Sequence, residues 1–259
     1  MKPVIQRGLD ALEARIRALE TGVGSLLATV NALSSLVGFG RLWVNRQVLV
    51  GAGTYSPTNG TRRVLVRMIG GGGGGGGAAS VSGHPNASGA GGNSGWYIEF
   101  RVSGSLTGGP YSCGAGGLGG SSAPGAGGTG GDTTLVINGT TYTARGGTGG
   151  GAASDLNGAP FAPATGSTSS GIDFACYCPG MPGITGGTTV EAESLGLQFG
   201  GSGGGVPPFG TGGYAVSTGQ AFGVPGFGFG SGGSGGAIDF LSVAGASGSA
   251  GAIVIDEFV

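Results

Sequence analysis

Two stretches, Gly200-Gly201-Ser202-Gly203-Gly204 and Gly232-Gly233-Ser234-Gly235-Gly236, satisfy the G-x-S-x-G pattern that sets a serine nucleophile on a sharp turn. A serine nucleophile also needs a base, and the single histidine, His84, lies in a stretch rich in glycine and serine. With 68 glycines in 259 residues, composition alone generates such matches. The G-x-G-x-x-G matches likewise lack the strand-turn-helix context that would seat a phosphate. Cys176-x-Cys178 and Cys113 supply three thiols, and with His84 they could make one four-ligand zinc set. Free buried cysteine is the commoner use of such residues. The carboxylates Asp155, Asp173, Glu191 and Glu193 lack the spacing of a calcium loop. No catalytic residue, metal site or cofactor is expected.

The aromatic residues outside the glycine pattern are the better candidates. Residues 152–199 carry Phe161, Phe174, Tyr177 and Met181 without one basic residue. Residues 205–229 carry Phe209, Tyr214 and Phe222, with Phe227 and Phe229 at their end. Rings on loops above a rigid scaffold are common recognition equipment. The same rings could instead cap a glycine core and supply the apolar burial that glycine cannot. The loops are therefore better supported as sites than any one ring.

What positions these loops is a question about glycine. Glycine and proline together make 80 of 259 residues, enough to read as low complexity. Disorder normally brings high charge as well, yet only 23 residues are charged and the net charge is −1. An ordered, oligomeric protein is the expectation. Ten of the eleven basic residues lie at or before Arg101, and no basic stripe for nucleic acid exists. No apolar run approaches the ~20 residues of a membrane span. Three cysteines argue against a disulfide framework.

The chain opens with apolar residues at Ile5, Leu9, Leu12, Ile16, Leu19, Val23, Leu26, Val30, Leu33 and Val37, a heptad seam that predicts a coiled coil over residues 1–39. Arg15-Ile16-Arg17-Ala18-Leu19-Glu20 resembles a short trimerisation motif, in which Arg15 reaches Glu20 of a neighbouring chain. The expected state is a parallel homotrimer, in which three chains pool a core that one cannot build. Strands are expected over 41–50, 63–69, 96–102, 133–137, 140–144 and 252–258. Asn138-Gly139 is expected to form a type I′ hairpin turn. Ala126, Thr129 and Asp132, and Ser231, Ser234 and Ala237, stand three apart in glycine. Period three is the repeat of an extended polyproline-II-type helix, and two bare faces would let such helices bond to one another through their backbones. The run Gly70–Gly77 is either one of these helices or a flexible lead-in to them.

Gly53-Thr54-Tyr55-Ser56-Pro57-Thr58-Asn59-Gly60-Thr61, then Val64-x-Val66 and the oligoglycine run, resembles the glycine-rich domain of bacteriophage tail-fibre and tail-tip proteins. Tyr111 with Gly114-Ala115-Gly116-Gly117, and the closing stretch 248–257, carry the likeness further. It spans residues 40–259. The cysteines depart from it. The resemblance implies a mainly β fold with a polyglycine-II region behind a coiled-coil stalk, and a virion-tail adhesin that binds a bacterial surface protein, pilus or polysaccharide. Residues before about Leu9, or the outer face of the stalk, are expected to dock on another tail or baseplate protein, and no enzymatic activity and no nucleic-acid or membrane partner is expected. The rival expectations are a non-adhesive stalk and a polysaccharide depolymerase using Glu191 and Glu193.

Overall fold

The computed structural model describes residues 43–79, 87–123, 125–153, 175–178, 203–216, 222–238 and 242–259, with Arg15, Arg17, Leu19, Gly22 and Val23 near the start. Residues 44–257 form one compact unit; residues 1–43 with Phe258 and Val259 form a second.

In the larger unit the strands come first from side-chain alternation. Strand β3 (Arg63–Ile69) turns Val64, Val66 and Met68 inward and leaves Arg63, Leu65 and Arg67 outside. Strand β1 (Trp43–Leu49), β2 (Ala52–Thr54), β5 (Tyr97–Ser103), β6 (Gly108–Ser112), β7 (Thr133–Ile137), β8 (Thr140–Ala144), β9 (Ala175–Cys178) and β13 (Ala252–Phe258) complete two sheets. Their orders are β1-β13-β3-β5-β9 and β2-β6-β7-β8. Val64, Met68, Ile98, Phe100, Ile253 and Ile255 of the first meet Leu135, Ile137 and Tyr142 of the second in one core. Phe100 stacks on Tyr142 with ring centroids 4.2 Å apart. Asn138 and Gly139 both take positive φ (51° and 74°), as the β7–β8 turn requires. The remaining strands are two-residue pairs: β4 (Ala87–Ser88) with β12 (Ala237–Ile238), and β10 (Gly210–Thr211) with β11 (Phe227–Gly228).

The strands β3, β6 and β8 run on into glycine, and β5, β7 and β13 begin where glycine ends. Between them lie seven extended segments, numbered here I (70–78), II (88–96), III (114–121), IV (125–131), V (146–153), VI (230–237) and VII (243–250). Segment I is the centre. Its N–H groups at 70, 73 and 76 donate to the carbonyls of Trp96, Asn93 and Ala90 in II. Those at 71, 74 and 77 donate to Gly131, Gly128 and Gly125 in IV, and those at 72, 75 and 78 to Ser249, Ala246 and Val243 in VII. In return Gly117 and Gly120 of III, Gly147, Gly150 and Ala153 of V, and Gly233 and Gly236 of VI donate to its carbonyls. These bonds are 2.8–3.1 Å long. Segments II, IV and VII run antiparallel to I; III, V and VI run parallel to it.

The six neighbours also bond to one another. Segment IV donates to III (Gly128 to Leu118) and V (Gly127 to Gly150), II to V (Asn93 to Thr148) and VI (Gly92 to Gly233), and VII to VI (Ala246 to Ser234) and III (Gly248 to Gly117). The ring closes around segment I. A threefold helix directs successive amides outward at about 120°, so six neighbours satisfy every N–H of the centre and its carbonyls from Gly71 to Ala78. Residues 70–77 are all buried. This is a core made of backbone hydrogen bonds, each worth a net ~1 kcal/mol, without apolar side chains.

Two expectations are corrected here. The expected fold class was a mainly β chain behind an N-terminal α-helical, trimeric coiled coil. Every defined element among the described residues is a strand, and no helix is defined among them. Arg15, Arg17, Leu19, Gly22 and Val23 have helical backbone, and Leu19 and Val23 are 71% and 61% exposed. An apolar seam stabilises a helix only where a packing surface covers it, and Gly22 and Gly24 each cost a helix ~1 kcal/mol. The other seam residues and Glu20 lie outside the described residues. The second correction concerns the glycine core, which does not require three chains to pool their surfaces: one chain supplies the centre and all six neighbours. Removing residues 1–39 should therefore leave the melting temperature of the bundle within a few degrees, read by circular dichroism; collapse of the truncated chain would contradict a self-sufficient core.

Candidate functional site

At the end of the bundle away from the sheets, glycine gives way to small apolar residues. Ala78, Ala90, Ala153 and Val243 pack together there, and Ala78 bridges to both Ala153 and Val243. The connections 79–87, 121–125 and 238–242 all leave from this end, as does the chain after Ala153.

A second layer covers part of the ring. Gly205 donates to Gly92 and accepts from Gly232; Gly213 donates to Gly232 and accepts from Gly204. Ser234 donates its N–H to Val224 while its Oγ accepts from Val224 N–H at 2.7 Å. Ser231 Oγ donates to the carbonyl of Phe227 at 2.6 Å. The serines spaced three apart in segment VI thus turn their side chains to this layer and their carbonyls to Ser249 and Ala246 of segment VII, while Gly233 and Gly236 bond to the centre.

The layer carries three of the sequence-derived candidates. Tyr214 and Phe222 are exposed, 67% and 70% respectively, and bracket residues 217–221. Gly223 donates to Ala244, next to the Val243 that closes the bundle end, so Phe222 belongs to that end. Phe209 differs. Its ring meets Tyr97 edge-on at 5.5 Å, covering a buried tyrosine of β5, and it is a packing residue. Tyr177 stands in β9, in register with Ile98, rather than in a loop. Phe161, Phe174 and Met181 lie outside the described residues. Phe227, another ring of the 205–229 stretch, stands in β11 and is 60% exposed.

The carboxylates of β13 do structural work on its two faces. Arg46 Nη2 and Arg67 Nη1 both donate to Asp256 Oδ2 at 3.1 Å. Arg67 continues to Glu99 at 3.3 Å, which also accepts from Tyr97 Oη at 2.7 Å. The hydrogen bond from Arg46 holds the Asp256 carboxyl below its ordinary range, against the opposing effect of burial. On the other face Glu257 is wholly buried, and its Oε1 accepts from Tyr55 Oη (2.8 Å), Gln47 Nε2 (3.0 Å) and Thr58 N (3.2 Å). Burial, then this bond, pushes the Tyr55 hydroxyl well above its ordinary value. Adjacent residues on opposite faces of a strand cannot flank one glycosidic bond. Cys113 donates its thiol to the Leu49 carbonyl at 3.4 Å, and Cys176 and Cys178 pair in register with Glu99 and Tyr97. No cluster of three metal-ligating residues occurs among the described residues.

Compared with known proteins, the chain matches no family model and no curated protein.

Proposed function

We propose that the chain is a phage tail-fibre or tail-tip adhesin that binds a host-cell surface receptor through loops at the closed end of its glycine bundle. The observation that carries this reading is the encirclement of segment I by six bonded neighbours, which gathers the described ends of several segments, among them Ala79, Gly125, Ala153 and Val243, at one end of the bundle. The likeness of residues 40–259 to glycine-rich tail proteins supports it, and so do the exposed ring of Phe222 beside that end and the exposed ring of Tyr214 in the same outer layer. Rigid support lowers the ordering cost of binding by loops. Several copies on one virion would add weak sites through effective concentration.

The test uses fluorescently labelled protein on a panel of bacterial strains. The wild-type chain should label a subset of them. A variant with Tyr214→Ser, Phe222→Ser and glycine-serine replacements of equal length at 80–86 and 239–241 should lose at least about tenfold in affinity, or ~1.4 kcal/mol, with its melting temperature retained. Unchanged labelling by that variant, or no labelled strain at all, would defeat the proposal.

A further inference from the structure

The opposite end of the larger unit holds a cleft of about 390 Å³ between the β2–β3 and β5–β6 loops. Thr58, Asn59, Thr61, Arg62, Ser105 and Leu106 line it, and no carboxylate does. Its walls are fixed before any ligand arrives. Thr58 donates its N–H to Glu257 and accepts from Asn45 Nδ2 at 3.1 Å. Thr61 N donates to Thr58 O, Gly104 N to Arg62 O, and Thr107 N to Asn138 Oδ1. Gly60 (φ 90°) and Gly104 (φ 107°), both in the lining, adopt backbone that side chains resist.

The donors outnumber the acceptors engaged with them. Among the described residues, the N–H groups of Asn59, Gly60, Ser105 and Leu106 have no hydrogen-bond partner, and the Arg62 guanidinium has no ion pair. Thr61 Oγ1 is shielded from solvent without a partner. With free backbone N–H groups, one guanidinium and no carboxylate in its lining, and with Glu257 behind the wall already engaged by Thr58, Tyr55 and Gln47, the cleft favours an oxyanion. Pro57 and Leu106 add an apolar wall that suits the C–H face of a sugar ring.

We propose that this cleft binds an acidic monosaccharide unit, its carboxylate held by Arg62 and the loop amides and its ring resting on Leu106. The site lies away from the bundle end and does not depend on the adhesin reading. The test is titration of the isotope-labelled full chain with glucuronate, glucose and inorganic sulfate, followed by NMR. Glucuronate should shift the amides of 57–62 and 104–106 with millimolar affinity, and glucose should bind at least about tenfold more weakly, a difference of ~1.4 kcal/mol. Arg62→Gln should lose the glucuronate response by a similar factor while keeping the wild-type melting temperature and spectrum elsewhere. Equal binding of glucose, an Arg62→Gln variant that binds as wild type, or no shift at all would overturn the proposal. Sulfate binding as tightly as glucuronate, with both lost in Arg62→Gln, would show an adventitious ion only and also overturn it. The bundle-end variant described above should bind glucuronate unchanged, so the two proposals fail separately.

Discussion

Gly74→Ala is expected to abolish folding of the glycine bundle, while Gly128→Ala, one residue of the adjoining segment, should leave it folded. A Cβ at Gly74 would lie 2.0 Å from the carbonyl oxygen of Leu118 and 2.5 Å from its carbon. Both are backbone atoms, and the same carbonyl accepts the Gly128 N–H that holds segments III and IV together. No rotamer change relieves the clash; a whole segment must move, and its bonds to the centre go with it. The cost belongs with the exceptional substitutions above ~4–5 kcal/mol, against a total stability of ~5–15 kcal/mol for ordinary domains. At Gly128 the nearest atoms to an added Cβ are Leu118 N at 3.2 Å and Leu118 O at 3.4 Å. A shift of a few tenths of an ångström suffices there, and the lower entropy of the unfolded chain returns ~0.4–1 kcal/mol. Thermal melts by circular dichroism, with amide exchange at 70–78, separate the two outcomes. A Gly74→Ala protein that melts like wild type would remove segment I from the centre of the bundle.

Glu257→Ala should lower the melting temperature by about 10 °C, the shift that ~4 kcal/mol produces in a domain of this size. Its Oε1 is the shared acceptor for Tyr55, Gln47 and Thr58, which come from β1 and the turn after β2. Removing it strands a buried phenol hydroxyl and a backbone N–H, each costing ~1–3 kcal/mol when left unpaired, and opens a cavity. Glu257→Gln preserves an acceptor at the same place and also offers an amide where Oε2 now has no partner; its cost should stay near ~1 kcal/mol. Equal melting temperatures for the alanine and glutamine variants would show that the three donors find other partners.

Much of the strand framework was legible because alternation is a local property. Val64, Val66 and Met68 announce an inward face, and the expected strand over 63–69 is β3 to the residue. Asn138-Gly139 announces its turn by the two positive φ values it tolerates. The heptad seam was equally conspicuous and did not settle the N-terminal structure, since a seam specifies a helix only together with the surface that covers it. Among the candidate rings, exposure of Tyr214 and Phe222 could not be told from the packing of Phe209. All three sit in similar glycine-rich surroundings, and only the placement of Tyr97 beneath Phe209 distinguishes them.

The sequence by itself determined that Gly70–Gly77 could approach other chain segments closely, since no side chain stands in the way. It also determined where β3 ends and the run begins. Only the tertiary structure decided that the run is the centre of the bundle. In a run without side chains no periodicity marks one face from another, so neither its neighbours nor its register can be read from it. The reason for eight glycines lies in residues far along the chain: the carbonyls of Ala115, Leu118, Ser121, Arg145, Thr148, Gly151, Ser231 and Ser234 each stand 1.9–2.1 Å from where a Cβ would be. Three parallel neighbours close in on a threefold helix, one for each residue of its turn, and every position must then be bare.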